Sequence, residues 1–183
     1  MTLMSDLDDR IYARCAVIAE LVQKMQPMYA AAETIPYQRQ HIETIVGAGL
    51  WYIPNRSLWT GFMSVGALQS FHPSSGEKKP KLTQDHQYPR KVAARQLLER
   101  DWAQVEEPAS ELTLSYLKTY GRFNYVTPRE NRALMPFQRA HRFESPEAAY
   151  REAGVRLLKV EPSLLALIKA RDGLTIERLL DDS

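Results

Sequence analysis

Two stretches decide the predicted fold: Lys81-Leu-Thr-Gln-Asp-His-Gln-Tyr-Pro89 and Asn124-Tyr-Val-Thr-Pro-Arg-Glu-Asn131-Arg132. In the first stretch, residues 81–86 are predicted as a strand, and Pro89 closes the extended segment. Just before and within the second, Phe123-Asn-Tyr-Val126 is short and rich in β-forming residues. Thr127-Pro128 then supplies an N-cap and a first-turn proline for a helix that reaches about residue 142. The predicted order is therefore strand, strand, helix.

Asp85 and His86 place a carboxylate next to an imidazole. Adjacent side chains on a strand point to opposite faces, so a single metal ion cannot easily bind both from one flat strand. One residue can hold the ion while the other stays free for proton transfer. A neutral histidine with a pKa of about 6.5 can take a proton from water at neutral pH.

Hydrolysis of a phosphodiester needs an activated water, a cation that neutralises charge on the phosphate, and fixed geometry. The carboxylate of Asp85 and the side-chain amide of Asn131 are hard oxygen ligands of the kind that suits Mg²⁺. Together with His86 as a general base, they form the smallest set that this chemistry requires. The two strands and the helix are predicted to carry them.

These motifs resemble those of the HNH, or ββα-metal, endonucleases, over residues 81–142 only. Thr83-Gln-Asp-His-Gln-Tyr-Pro89 looks like the first motif, an acidic residue and the catalytic histidine followed by a proline. The second stretch resembles the second half of the HNH motif. It is similar to the variants found in RNA-guided DNA nucleases and modification-dependent restriction enzymes, which carry asparagine at the ligand position on the helix. The resemblance implies Asp85 and Asn131 as ligands of Mg²⁺ or Mn²⁺, and His86 as general base. It implies Asn124 as the residue that tethers the loop and orients the histidine.

Each of these residues also has a purely structural interpretation. His86 could be a surface or core histidine, and Asp85 could be a turn residue at a strand end. Asn131 could be solvent-exposed on its helix, and Asn124 could cap a turn. The nuclease hypothesis needs all four residues together, so these alternatives stay open at this point.

Basic residues are concentrated around the same two motifs, although the net charge is only +2. Residues 78–100 hold seven basic side chains against Asp85 and Glu99, and residues 118–142 hold six against Glu130 alone. A solvated basic face is the simplest explanation of either segment. Basic side chains also bind the backbone of nucleic acids without reading sequence. The residues predicted to do so are Lys81, Arg90, Lys91, Arg129, Arg132 and Arg139.

The fold class predicted from these patterns is α+β and mostly helical. A small ββα-metal core of two short strands and a helix is expected to carry a helical insertion between His86 and Asn124, with helical additions at both ends. Residues 1–72 are expected to form a helical N-terminal region, and residues 73–183 the nuclease-like core with C-terminal helices, together in one compact unit. At 183 residues the chain is long enough to bury a real core.

Several local predictions concern the N-terminal region. Apolar residues recur at helical spacing from Asp6 to Met25, and Cys15, the only cysteine, falls on that apolar face as a buried thiol. The segment from Leu50 to Gly61 contains Trp51, Tyr52 and Trp59. Core packing is the favoured interpretation of these aromatic residues, and base stacking the alternative. A short helix is predicted from Phe62 to Phe71.

The predicted function is a metal-dependent endonuclease that hydrolyses DNA, in restriction or phage defence; RNA stays open as a substrate. The alternative is a non-catalytic helical module that binds nucleic acid or a protein. No apolar run approaches the roughly 20 residues that span a bilayer, and the first nine residues are too acidic for a signal peptide. We therefore expect a cytoplasmic protein without membrane contact, acting alone, as a homodimer or with a partner protein.

Overall fold

The computed structural model describes residues 2–55 and 57–181, with side chains from residue 8 onward. The fold is α+β and mostly helical, as the sequence predicts. The chain forms two units, one of residues 1–58 and 88–122, the other of residues 59–87 and 123–183. This division differs from the expected one at residue 72, because the helical insertion folds with the N-terminal helices.

The first unit is helical. Its elements are α1 (Thr2–Ala31), α2 (Pro36–Trp51), α4 (Arg90–Glu99) and α5 (Pro108–Ser115), the last followed by a π-helical turn at Tyr116–Tyr120. Ile11, Cys15 and Ile18 of α1 are buried at helical spacing and pack in one core with side chains of α2, α4 and α5. The prediction of a buried Cys15 is confirmed, and burial raises the pKa of its thiol to about 11.

Glycines let two helices of this unit approach each other. A Cβ atom on Gly47 of α2 would lie 3.0 Å from the carbonyl oxygen of Arg90, the first residue of α4. Helix α2 continues through both Gly47 and Gly49 to Trp51. Packing against α4 thus outweighs the low helix propensity of glycine, which costs about 1 kcal/mol per residue.

The second unit contains a mixed sheet. Its elements are β1 (Trp59–Ser64), α3 (Val65–Phe71), β2 (Thr83–His86), β3 (Phe123–Val126), α6 (Pro128–Leu134), α7 (Pro146–Glu152), β4 (Leu157–Lys159), α8 (Leu165–Lys169) and α9 (Gly173–Asp181). Among the described residues the strand order is β2-β3-β1-β4, with β1 parallel to β3 and the other neighbours antiparallel. The predicted pair of strands is therefore one half of a larger sheet.

Three local predictions need correction. Phe62–Ser64 belongs to β1 and not to a helix, and α3 begins only at Val65, where the Ser64 hydroxyl accepts a hydrogen bond from the amide of Ala67. The helix that starts after Thr127 ends at Leu134 instead of residue 142, and turns follow it. Helix α9 was missed, although Asp172, a residue type that caps helices, stands directly before its first residue, Gly173. The Asp172 carboxylate accepts a hydrogen bond from the Thr175 hydroxyl.

The close packing around Gly121 generates a test of the first unit. We expect Gly121→Ala to destabilise the protein by about 1–3 kcal/mol, as overpacking does. A Cβ atom on residue 121 would lie 2.5 Å from the Leu58 side chain and 2.6 Å from the ring of Tyr116. The Tyr116 ring cannot move aside easily, because it is fully buried and its hydroxyl donates a hydrogen bond to the carbonyl of Ile53. Urea unfolding measures the change. Gly49→Ala is the control, because its Cβ would meet only the Ile18 side chain, at 3.3 Å; equal losses for both variants would contradict the steric explanation.

Candidate functional site

The structure forms the strand–strand–helix arrangement from β2, β3 and α6. Strands β2 and β3 pair antiparallel with Asp85 opposite Asn124 and His86 opposite Phe123. Because residues directly opposite each other share a face of the sheet, Asp85 lies beside Asn124 while His86 lies on the other face. The acidic residue and the histidine are thus separated by the sheet itself.

The Asp85 carboxylate is buried and fully engaged. Its side chain is only 4% exposed. The hydroxyl of Tyr150 in α7 donates to Oδ2, and the Gln138 side-chain amide lies 2.9 Å from Oδ1 and 3.1 Å from Oδ2. Burial raises the pKa of this carboxyl above its ordinary value, and the two hydrogen bonds oppose that rise.

Asn124 is completely buried on the same face as Asp85. Its Oδ1 accepts a hydrogen bond from the hydroxyl of Thr60 in β1. Its Nδ2 is buried with no hydrogen-bond partner among the described residues. The side chain therefore ties β3 to β1. It does not orient His86, the role that the resemblance implied, because the imidazole lies on the opposite face.

His86 is partly buried and packs near Phe123, with ring centroids 6.3 Å apart. Burial lowers the pKa of its imidazole, so the neutral form is favoured at pH 7. A general base needs this protonation state. The alternation of β2 puts the Asp85 carboxylate on the other side of the sheet from this ring.

The predicted metal ligands do not fit a hard cation in this arrangement. Mg²⁺ needs oxygen ligands at about 2.0–2.1 Å, but both oxygens of Asp85 already accept hydrogen bonds from Tyr150 and Gln138. Asn131 lies partly exposed in α6 and forms no hydrogen bond with Asp85. In the described ranges, no three His, Cys, Asp or Glu side chains cluster in a way that could hold a metal ion.

Glu130 connects the start of α6 to β1. The Thr127 hydroxyl caps the helix by accepting from the amide of Glu130, and the Glu130 carboxylate accepts in return from the Thr127 amide at 2.8 Å. The same carboxylate accepts from the hydroxyl of Ser64 at 2.6 Å. Gly66 leaves room for it, since a Cβ atom there would lie 2.5 Å from Oε1. By bonding both Thr127 and Ser64, the Glu130 carboxylate fixes the start of α6 against the sheet. The sequence predicted this helix start correctly.

A basic cleft of about 810 Å³ lies in the second unit, beside the start of α6. Four basic and two acidic side chains line the cleft. One of the two acidic side chains is Glu130, which is held by the hydrogen bonds just described. Among the described residues, none of the four basic side chains forms an ion pair with a carboxylate, and all four are exposed. We call this feature the basic cleft; its basic residues are Lys79, Lys81, Arg129 and Arg132.

The structure brings together three of the six predicted nucleic-acid contacts. Lys81, Arg129 and Arg132 line the basic cleft, and Lys79 joins them. The other three are exposed but lie elsewhere: Arg139 in the turns after α6, and Arg90 and Lys91 at the start of α4 in the first unit. Lys79 belongs to the basic run seen in the sequence but was not singled out there.

The sequence interpretation of the aromatic segment as core is wrong for two of its three residues. Trp51 is 58% exposed and Tyr52 72% exposed, at the end of α2. Only Trp59 is partly buried, where its ring packs on Tyr125, 5.6 Å between centroids. The alternative interpretation, base stacking, therefore remains for Trp51 and Tyr52.

Two residues of the buried network were not found by sequence reasoning. Gln138 lies 53 residues from Asp85, and Tyr150 lies 65 residues away. The Ser145-Pro146 start signal predicted the helix that carries Tyr150, and Ser145 does cap α7. Neither residue carries a local signal that it would reach Asp85.

Comparison with known proteins found no family model, no curated protein and no solved structure that matches this chain. The resemblance to HNH endonucleases is carried by the two quoted stretches alone and stays a prediction. Within the described part of the chain, no helix combines the length and apolar character needed to cross a bilayer.

The burial of Asp85 predicts a specific pH dependence of stability. A carboxyl whose folded-state pKa is raised adds stability below its unfolded pKa of about 3.9, and this stability is lost as pH rises through the folded pKa. Relative to Asp85→Asn, the wild-type free energy of unfolding should therefore fall as pH rises from about 4, by at most about 1.4 kcal/mol per pH unit. Urea unfolding in the presence of EDTA measures it. Parallel stability curves for the two proteins would contradict the buried carboxylate.

Proposed function

We propose that the chain binds nucleic acid through the phosphate backbone, at the basic cleft of the second unit. The observation that carries this proposal is the set of four exposed basic side chains around one concave surface, none of them paired with a carboxylate of the described residues. DNA is the proposed ligand, with RNA as the alternative. This is the non-catalytic form of the function predicted from the sequence.

The chemistry of the cleft supports a phosphate ligand. Lysine and arginine side chains without carboxylate partners keep their charge available, and neutralising phosphates releases the counterions condensed on nucleic acid. Thr127 and Glu130 hold the start of α6 in place by their reciprocal hydrogen bonds, so Arg129 and Arg132 project from a fixed element. Contacts of basic side chains to phosphates carry no sequence information, so the proposed binding is to the backbone.

The salt dependence of binding tests the proposal. We expect Arg132→Ala to weaken binding of a DNA duplex and to reduce the slope of log K against log salt by about 1, because one phosphate contact is lost. Arg129→Ala and Lys81→Ala should act in the same way. Fluorescence anisotropy with a labelled duplex at several salt concentrations measures both quantities.

Lys159→Ala is the matched control, since Lys159 is an exposed lysine of β4 in the same unit and does not line the cleft. The proposal predicts wild-type affinity and slope for this variant. A loss equal to that of the cleft variants would show that only overall charge matters, and would reject the cleft as the binding site.

Hydrolysis of the bound nucleic acid is a second candidate function, as an endonuclease of the HNH type with Mg²⁺ or Mn²⁺. One observation favours it: β2, β3 and α6 follow the predicted order, with Asp85 opposite Asn124 and His86 neutral at pH 7. Against it stands the carboxylate of Asp85, whose two oxygens are already engaged by Gln138 and Tyr150. Roles in restriction or phage defence, and a homodimer or partner protein, depend on this candidate.

Incubation with supercoiled plasmid separates the two candidate functions. For a nuclease, nicking should require Mg²⁺ or Mn²⁺, and His86→Ala should abolish it while duplex binding persists. Asn131→Ala should reduce nicking and its metal dependence in the same way. Absence of nicking by the wild type, or equal nicking by wild type and His86→Ala, leaves the binding function and excludes the assigned general base.

A further inference from the structure

The first unit carries an exposed aromatic and basic surface that the proposed cleft does not use. Trp51 ends α2 with 58% of its surface exposed, and Tyr52, 72% exposed, follows it. The guanidinium of Arg90 lies over the Trp51 ring, 5.4 Å from its centroid. Arg14 of α1 donates a hydrogen bond to the backbone carbonyl of Tyr52. We call these four residues the aromatic surface.

Helix packing fixes the position of this surface. Gly47 and Trp51 are four residues apart on α2, so they lie on the same side of the helix, one turn from each other. The close approach of Gly47 to the backbone of Arg90 brings the start of α4 to that side. Arg90 therefore reaches the Trp51 ring because the two helices touch at a glycine. The surface is built by two helices and is not one loose side chain.

We propose that Trp51 and Tyr52 stack on unpaired bases of a single-stranded nucleic acid, with Arg90, Arg14 and Lys91 attracting its phosphates. This inference rests on the proposed function and names the form of nucleic acid bound. Bases stack on aromatic side chains whatever their sequence, and neighbouring basic residues hold the backbone. The guanidinium of Arg90, which lies over the Trp51 ring, is flat and positively charged, so a base can also stack on it.

The charges around the aromatic rings favour nucleic acid as the occupant. Arg90 lies over the Trp51 ring, and Arg14 donates a hydrogen bond to the carbonyl of Tyr52. Lys91 follows Arg90 at the exposed start of α4. The three charged side chains of this set are all basic. A ligand that combines flat apolar groups with negative charge at short intervals matches it, and a single strand of nucleic acid has that composition.

Binding of two oligonucleotides tests the proposal on the full chain. The probes are a fluorescein-labelled oligodeoxythymidine and a strand of equal length with abasic sites in place of the bases. Trp51→Ala should lower affinity for the first by roughly 5- to 150-fold, the range measured for loss of a base-stacking aromatic residue. It should leave affinity for the abasic strand unchanged. Trp51→Phe should restore most of the affinity, since a flat ring is retained.

Salt dependence distinguishes stacking from charge. Trp51→Ala should leave the slope of log K against log salt unchanged, whereas Arg90→Ala should reduce it by roughly 0.7, the value for one phosphate contact on a single strand. Tyr37→Ala is the matched control, because Tyr37 is an equally exposed aromatic residue, 66%, at the opposite end of α2. Circular dichroism spectra and thermal midpoints verify that the variants are folded.

The outcomes separate this inference from the proposed function. If the wild type binds DNA and Arg132→Ala weakens binding, but Trp51→Ala and Tyr52→Ala bind oligodeoxythymidine as the wild type does, the stacking surface is rejected and the cleft stands. Equal losses on the thymidine and abasic strands also overturn stacking. If the wild type binds neither duplex nor single strand, both proposals fall, and the aromatic surface belongs to a protein interface instead.

Discussion

The carboxylate of Asp85 is the constraint on which the second unit depends. A buried charge is tolerated only where protons from neighbouring groups satisfy it. Tyr150 and Gln138 do so here, and through them α7 and the turns after α6 are held against one face of the sheet. Loss of the Gln138 amide leaves Oδ1 unsatisfied in the interior, at a cost of about 1–3 kcal/mol. The position of this carboxylate thus determines which elements cover that face.

The same constraint separates the parts of the suspected catalytic site. Both oxygens of Asp85 accept hydrogen bonds from structural donors, which leaves little capacity to bind a cation. Because side chains alternate along β2, His86 lies on the opposite face of the sheet from Asp85. Four exposed basic side chains of the second unit line the basic cleft instead. In the first unit it accompanies exposed aromatic rings. Both surfaces support the proposed binding of a polyanion, which needs no sequence readout.

Local signals in the sequence were enough for some elements and not for others. Phe123–Val126 and the capped start at Thr127 were correct because β-forming residues and a capping box act over a few neighbours. Strand β1 was missed because its pairing with β3 and β4 is set by residues about 60 to 100 positions away. Exposure of Trp51 and the partners of Asp85 also depend on long-range packing. Residue type indicated where chemistry could occur, but tertiary contacts decided whether the groups were available.

The chain passes from one unit to the other at residue 58, returns at residue 88 and leaves again at residue 122. During synthesis, α1 and α2 emerge long before α4 and α5, so Ile11, Cys15 and Ile18 stay without most of their core neighbours until about 60 further residues have been added. A growing chain with exposed apolar helices is prone to aggregate. The interleaved order therefore lengthens the exposure of these apolar side chains during synthesis, and no single cut in the gene separates the two units.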